Sequence, residues 1–316
     1  MSVIARKPRE FTPVVMVAEQ HRNAYDHAAV AHVHRLHLAV REVMNTERSR
    51  KATIGISEIG ADCSRCVARK LSGLYPKEVQ YGWKAQVGTF GHAGLEEHFL
   101  ATYPWMFEHY EEETADGRLV WKTRTRDDLE PTAEQPIYYL ERRLKVWEYK
   151  GHVIDGSCDL FSKVVVTQQD VDMAAAYAQS DPGLKVGDVI GIVTDWKFQG
   201  PRTLAKSAKG EISSQYRVQM NTYGLGYRLQ GLTPTHVDLH ALPRDGEYDD
   251  AKPVLARYDE QVAIDALARL QSMIDGAELI GWPSLIESVP RDPRCFDCPR
   301  FDRADEQAML AEIVGA

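Results

Sequence analysis

Asp195 and Lys197 stand two residues apart near the end of Val-Ile-Gly-Ile-Val-Thr-Asp-Trp-Lys-Phe-Gln, residues Val189–Gln199. The leading residues are β-branched and apolar, the composition of a strand buried on both faces. On a strand, a spacing of two brings the acid and the base out on the same side. Burying both costs free energy unless each finds a partner. A plain ion pair at a strand end would satisfy them, so the pair gains meaning only from its company. Three groups supply it. His92 and Glu96 are four apart on the helix expected from about 85 to 103, and share a face. Asp159 is an acid among apolar residues at the end of a second expected strand. Gln219 and Tyr223 share a face of the helix expected from about 211 to 230.

The chemistry these groups suit is phosphodiester hydrolysis. Asp159 and Asp195 offer hard oxygen ligands for Mg²⁺ or Mn²⁺, and an imidazole from His92 tilts the preference toward Mn²⁺. A divalent ion there polarises a phosphoryl oxygen and lowers the pKa of water. Lys197 is suited to orienting the attacking water and stabilising developing charge. Gln219 and Tyr223 would position Lys197 or grip the strand backbone. Singly, each residue has a plainer reading: a packing histidine, a turn-capping aspartate, a glutamine and a tyrosine bonded to each other. Their joint occurrence in chain order carries the inference.

These side chains need elements to hold them. Residues 1 to about 13 read as a loose arm and 14 to about 50 as a helix without internal Gly or Pro. That helix carries His21, His27, His32, His34 and His37, which read as surface and packing histidines because no acid or cysteine pattern completes a metal site. Ser57 opens a helix expected to carry Cys63 and Cys66 on one face. Gly88 and Gly91 permit close approach near the start of the His92 helix. Asp116-Gly117 marks a turn. Strands follow at 138–149 and 152–161, joined by a tight Lys150-Gly151 turn. Residues 163–186 read as a polar insertion. A strand at 235–242 and an amphipathic helix at 259–278 lead into a proline-containing loop and Arg294-Cys295-Phe296-Asp297-Cys298-Pro299.

The composition, 44% hydrophobic and 27% charged over 316 residues, is that of a globular chain. No apolar run reaches membrane-spanning length and Met1–Glu10 lacks an apolar signal core, so a soluble cytoplasmic protein is expected. A net charge of −8 argues against adhesion to nucleic acid through bulk charge. A local basic groove remains open to Arg142, Arg143 and Lys145, and to Arg202, Lys206, Lys209 and Arg217. Cysteines in such a compartment do not form disulfides. Cys158, inside a strand, reads as a small buried apolar residue. The other four form two CxxC pairs, Cys63/Cys66 and Cys295/Cys298. Such pairs commonly hold zinc, yet here the whole catalytic region lies between them, which suits a clasp returning the C-terminal segment to an N-terminal helix.

In order and spacing these residues resemble the RecB-like nucleases of the PD-(D/E)xK superfamily. The nearest likeness is to the CRISPR-associated exonuclease family (Cas-four) and its phage-encoded relatives, with the nuclease domain of AddB a cousin. The matching motifs are G-x-x-x-H-x-x-x-E at Gly88, His92 and Glu96; G-x-x-D at Gly156 and Asp159; D/E-x-K at Asp195 and Lys197; and Q-x-x-x-Y at Gln219 and Tyr223. The resemblance runs from about Ser57 to Cys298. It implies an α/β, restriction-endonuclease-like core with a central mixed sheet flanked by helices, and a helical region carrying a four-cysteine metal centre. It also implies an N-terminal arm and helix over 1–56, a nuclease domain over 57–298 and a tail over 299–316. The implied activity is a metal-dependent DNA exonuclease, 5′→3′ on single-stranded or resected ends, with His92, Asp159 and Asp195 as metal ligands. DNA and recombination or CRISPR-adaptation proteins are the implied partners. The rivals are a structure-specific endonuclease and a non-catalytic nucleic-acid-binding subunit. For Cys63, Cys66, Cys295 and Cys298 the resemblance implies a 4Fe–4S cluster, structural Zn²⁺ being the alternative. The chain departs from the family in having two cysteines before and two after the core rather than one and three, and in the segment between Asp159 and Val189.

Overall fold

A computed structural model describes residues 54–74, 83–114, 117–176, 185–295 and 297–301. The chain divides into two compact units, Met1–Arg50 with Val79–Gln86, and Lys51–Glu78 with Val87–Ala316. Of the first, only the opening turn of one helix is described. The helix expected over 14–50, with its five histidines, lies outside the described residues. All that follows concerns the second unit.

The described chain begins with α1 (Ile56–Ile59) and α2 (Ser64–Leu71), where the sequence suggests one continuous helix. The break follows Gly60, and Cys63 becomes the N-cap of α2 while Cys66 lies within it. Next come α3 (Trp83–Thr102) and a hairpin of β1 (Phe107–Glu113) and β2 (Leu119–Thr125), which alternation does not announce because β1 is largely charged and exposed. The central strands β3 (Ile137–Tyr149) and β4 (His152–Val165) are joined at Lys150 and Gly151, with φ of 47° and 81°. Two residues of positive φ make the turn whose twist matches that of the strands. Asp159 therefore lies inside β4, which continues past it, rather than at its end. Part of the expected insertion is the end of β4 and a helix, α4 (Gln168–Ala176).

β5 (Val189–Gln199) is followed by α5 (Pro201–Ser207), α6 (Ser214–Leu229), β6 (His236–Pro243) and β7 (Lys252–Arg257). α7 (Glu260–Ile280), α8 (Trp282–Ser288) and α9 (Cys298–Phe301) complete the described chain. The main sheet has the order β3-β4-β5-β6-β7. Only β5 and β6 run parallel; the other neighbours are antiparallel. A parallel pair needs a crossover, and α6 lies within it. β7 carries Pro253, which removes a backbone donor and suits an edge strand. The class is thus α/β with a mixed sheet flanked by helices, as the sequence implies.

Two helices set the position of the site. α6 lies against β3 so closely that a Cβ on Gly226 would fall 2.9 Å from atoms of Leu144 and Val146. Beside it, Phe161 of β4 stacks on Tyr227 at 4.3 Å, both fully buried. Burying each such side chain contributes about 2 kcal/mol. Trp196 alternates with Asp195 and joins a second apolar cluster with Leu160 and Leu242, to which Leu95 and Phe99 of α3 pack. α3 meets β5 at Gly91, where a Cβ would sit 2.2 Å from the Phe198 ring. Gly88 has no neighbour within 4 Å of that position, so only Gly91 serves close approach. No helix among the described residues is long and apolar enough to cross a membrane.

Candidate active site and metal centre

Lys197 Nζ lies 2.8 Å from both oxygens of Asp195. Oδ1 also accepts a hydrogen bond from Gln219 Nε2 at 2.9 Å, while Oδ2 receives no aligned hydrogen bond. Asp195 is only 1% exposed. Burial raises its pKa, an effect the Lys197 ammonium opposes and the nearby Asp159 reinforces. For Lys197 burial favours the neutral amine, but Asp195 and Asp159 outweigh it and the ammonium is held above its ordinary value. The Tyr216 ring, 5.5 Å from Nζ, adds a cation–π contact. Tyr223 is buried and hydrogen-bonded to Gln219, and burial raises its phenol, so it stays protonated.

Asp159 sits one strand over. Its Oδ2 accepts the Trp196 backbone N–H at 2.7 Å and its Oδ1 faces His92 Nδ1 at 3.3 Å. The β4–β5 ladder stops at Leu160↔Thr194, and the Asp159 side chain takes up the next N–H. His92 is set by α3 between Trp196 and Phe198, with ring centroids at 6.1 and 5.9 Å. Burial disfavours the imidazolium, but the hydrogen bond and charge of Asp159 outweigh it and raise the pKa. Glu96, one turn further along α3, is raised by burial.

The three ligands inferred from sequence are not the tightest group. Metal-ligating atoms of His92, Asp159 and Glu141 of β3 all lie within 4.8 Å of one another, whereas Asp195 faces Lys197 and Gln219. Glu141 is absent from the candidates the sequence offers, and one signal marks it. Buried positions of β3 run Ile137 and Tyr139, then Leu144 and Val146, so the alternation changes parity across residue 141. Its φ is +44°, in the left-handed region. Burial, aided by Asp159 and Glu96, raises its carboxyl to about 7. Two acids and an imidazole, with the buried Asp195 Oδ2 that accepts no aligned hydrogen bond beside them, together fit a hard divalent cation.

Among the basic residues, Arg142 pairs with Asp127, Arg143 with Asp155, Lys145 with Glu148 and Arg217 with Asp259. Arg202 and Lys206 of α5, and Lys209 just after it, are exposed and make no salt bridge among the described residues.

The four cysteines converge as the spacing suggests. Sγ of Cys66 lies 3.2 Å from that of Cys295 and 3.3 Å from that of Cys298, and Cys63 and Cys298 are 3.5 Å apart. All four sulfurs fall within 4.8 Å of one another. Four thiolates at about 2.3 Å around one tetrahedral ion stand roughly 3.8 Å apart. A four-iron cluster places its own body between them and needs a wider enclosure. Burial pushes the Cys66 thiol far up and Cys298 to about 12. Burial also acts against Cys63, but hydrogen bonds from the Asp292 and Cys66 backbone and from neighbouring thiols bring it down to about 7. The segment bearing Cys295 and Cys298 is fastened further: Arg65 Nη2 donates to Glu287 O at 2.8 Å and Lys70 reaches Asp297 at 3.3 Å. Cys158, fully buried and away from this group, is the small core residue its setting in the sequence suggests.

No protein-family model matches the chain, and no curated protein matches it. Among solved structures it is similar to an alkaline exonuclease from Laribacter hongkongensis, at 11% identity and a TM-score of 0.38, covering 75% of this chain and 90% of that one. The same enzyme in complex with dAMP gives the same values. A protein from Eubacterium rectale designated an exonuclease follows at 13% identity and a TM-score of 0.37, covering 80% and 88%. Likenesses this distant leave the chemistry to be judged from the side chains themselves.

Proposed function

We propose that this protein is a metal-dependent nuclease acting on DNA, most simply a 5′→3′ exonuclease on single-stranded or resected ends. A role in recombination, end processing or spacer capture of a phage or mobile element goes with that reading. The observation that carries it is the buried Asp195–Lys197 pair set beside His92 and Asp159. A structural ion pair needs no imidazole and second acid next to it.

His92, Asp159 and Asp195 would hold a divalent cation, which when bound polarises the scissile phosphoryl group and acidifies water. Lys197, kept charged by the two acids, orients the attacking water and stabilises charge on the phosphoryl oxygens. Gln219 fixes the Asp195 carboxylate, and Tyr223 fixes Gln219. Glu96, one turn from His92 on α3 with its carboxyl raised by burial, is the group proposed to pass a proton to the leaving oxygen. Arg202, Lys206 and Lys209 supply unpaired charge for strand phosphates in a chain of net charge −8. The four-cysteine centre clasps the fold, and its sulfur spacing supports one tetrahedral ion, zinc, over a 4Fe–4S cluster.

The deciding assay offers end-labelled linear and circular single-stranded DNA with Mg²⁺ or Mn²⁺, with and without chelator. Metal-dependent loss of linear DNA alone supports an exonuclease. Cleavage of circles assigns an endonuclease. Tight binding without cleavage assigns a non-catalytic subunit.

A further inference from the structure

We propose that Glu141 of β3 is a ligand of the active-site divalent cation, alongside His92 and Asp159; this rests on the nuclease reading above. The motifs that suggest the nuclease assign no role to this strand. Sheet register gives one. Continued through the gap between Leu140↔Leu160 and Arg142↔Cys158, the β3–β4 pairing sets Glu141 opposite Asp159. Continued one step beyond Leu160↔Thr194, the β4–β5 pairing sets Asp159 opposite Asp195. Three carboxylates on three adjacent strands therefore form one row across the sheet, and both ladders are interrupted at that row.

Like charges directly opposite on neighbouring strands destabilise a sheet. Glu141 adds a left-handed backbone that a non-glycine residue adopts only at a cost. Its carboxylate, half-buried, makes no hydrogen bond or salt bridge among the described residues. A residue kept for stability would not combine these features. A cation at the His92–Asp159–Glu141 group removes the conflict by placing positive charge between the facing carboxylates.

A second observation points the same way. Asp195 is buried to 1% exposure, and its Oδ2 receives no aligned hydrogen bond. Lys197 Nζ lies 2.8 Å from that oxygen without donating to it, while Oδ1 accepts from both Lys197 and Gln219. The row thus ends in an acid whose charge Lys197 partly offsets, so that Glu141 adds a carboxylate on the side of the ion that His92 and Asp159 face. The kink at residue 141 serves the same end. Tyr139 packs on Phe161, which stacks on Tyr227 of α6, and Leu144 and Val146 also meet α6 at Gly226. An unbroken strand would send Tyr139 and Leu144 to opposite faces. The left-handed residue lets both face the α6 side of the sheet, with residue 141 on the His92 side.

The test is Mn²⁺ binding, read from the electron paramagnetic resonance signal of the free ion, on full-length protein purified with its four-cysteine centre intact. Glu141→Gln should weaken Mn²⁺ by about tenfold or more, since even groups one shell removed from a metal cost about 10–100-fold when lost. Glu141→Gly, which accepts a positive φ without strain, should weaken it as much and melt no lower than wild type in chelator. Asp159→Asn is the control for the underlying reading. Should both Glu141 variants bind as tightly as wild type while Asp159→Asn does not, Glu141 is no ligand and the metal site stands without it. Should wild type fail to bind Mn²⁺, or Asp159→Asn bind as well as wild type, the metal-site reading falls and this inference with it.

Discussion

Gln219 of α6 donates from Nε2 to Oδ1 of Asp195 at 2.9 Å, the same oxygen that Lys197 approaches at 2.8 Å. The helix of the parallel crossover thereby fixes a carboxylate on the strand it follows. Gln219→Ala should leave Asp195 free to turn. Losing a hydrogen bond to a buried charged group costs about 1.5–3 kcal/mol. Turnover should fall and thermal unfolding should come earlier, both measurable on one preparation. An unchanged melting temperature with unchanged turnover would remove Gln219 from the site.

Asp159→Asn and Asp195→Asn should each abolish Mg²⁺- or Mn²⁺-dependent DNA cleavage while retaining the wild-type circular dichroism spectrum. Asn keeps the shape at both positions, an oxygen for the Trp196 N–H at 159 and one for Gln219 at 195, so the loss reports charge rather than packing. Cleavage by both variants would rule out the proposed metal site.

Lys197→Ala should lower turnover far more than DNA affinity, by about a hundredfold or more, because its proposed work is done on the transition state. A mutant with normal turnover and weak binding would instead make Lys197 a contact to the DNA backbone.

Glu141 gives the metal-free protein a pH dependence of definite sign. Its folded carboxyl is raised from the ordinary 4.5 to about 7. The folded state therefore holds this proton more tightly than the unfolded state. Stability from this source is full below about pH 4.5 and is lost as pH rises through about 7. In chelator, the wild type should lose more of its melting temperature between about pH 5 and about pH 8 than Glu141→Gln does (the window follows from the two values). Added Mn²⁺ should cancel the difference. Parallel melting curves for the two proteins would contradict the burial of this carboxyl.

Replacing any one of Cys63, Cys66, Cys295 and Cys298 by Ala should lower the melting temperature, since an ion held by the four would close a loop spanning the whole core. Cys158→Ala should cost only on the order of 1 kcal/mol. Anaerobically purified protein should be colourless with one equivalent of zinc. A brown protein absorbing in the visible would establish iron–sulfur instead.

Features with a local cause are legible in the chain alone. A β-branched run makes Val189–Gln199 a strand, and a period of two puts Asp195 and Lys197 on one side of it. A spacing of four joins Gln219 to Tyr223, and Lys150-Gly151 forms the tight turn its residue types suggest. Two CxxC pairs announce the four-sulfur centre. Other features depend on neighbours distant in the chain. The break after Gly60 suits the docking of α1 on α6, where Gln215 bonds the Ser57 carbonyl. Exposed strands such as β1, largely charged, and β7 show no apolar alternation, because their pairing partners rather than a core hold them. Glu141 is the clearest case. The change of parity between Tyr139 and Leu144 marks a kink but not an acid of the site, because Glu141 takes its meaning from facing Asp159 across a strand pair and His92 across a layer. Side-chain periodicity is written in the local sequence; which strands lie side by side, and in what register, is decided only when the whole chain packs.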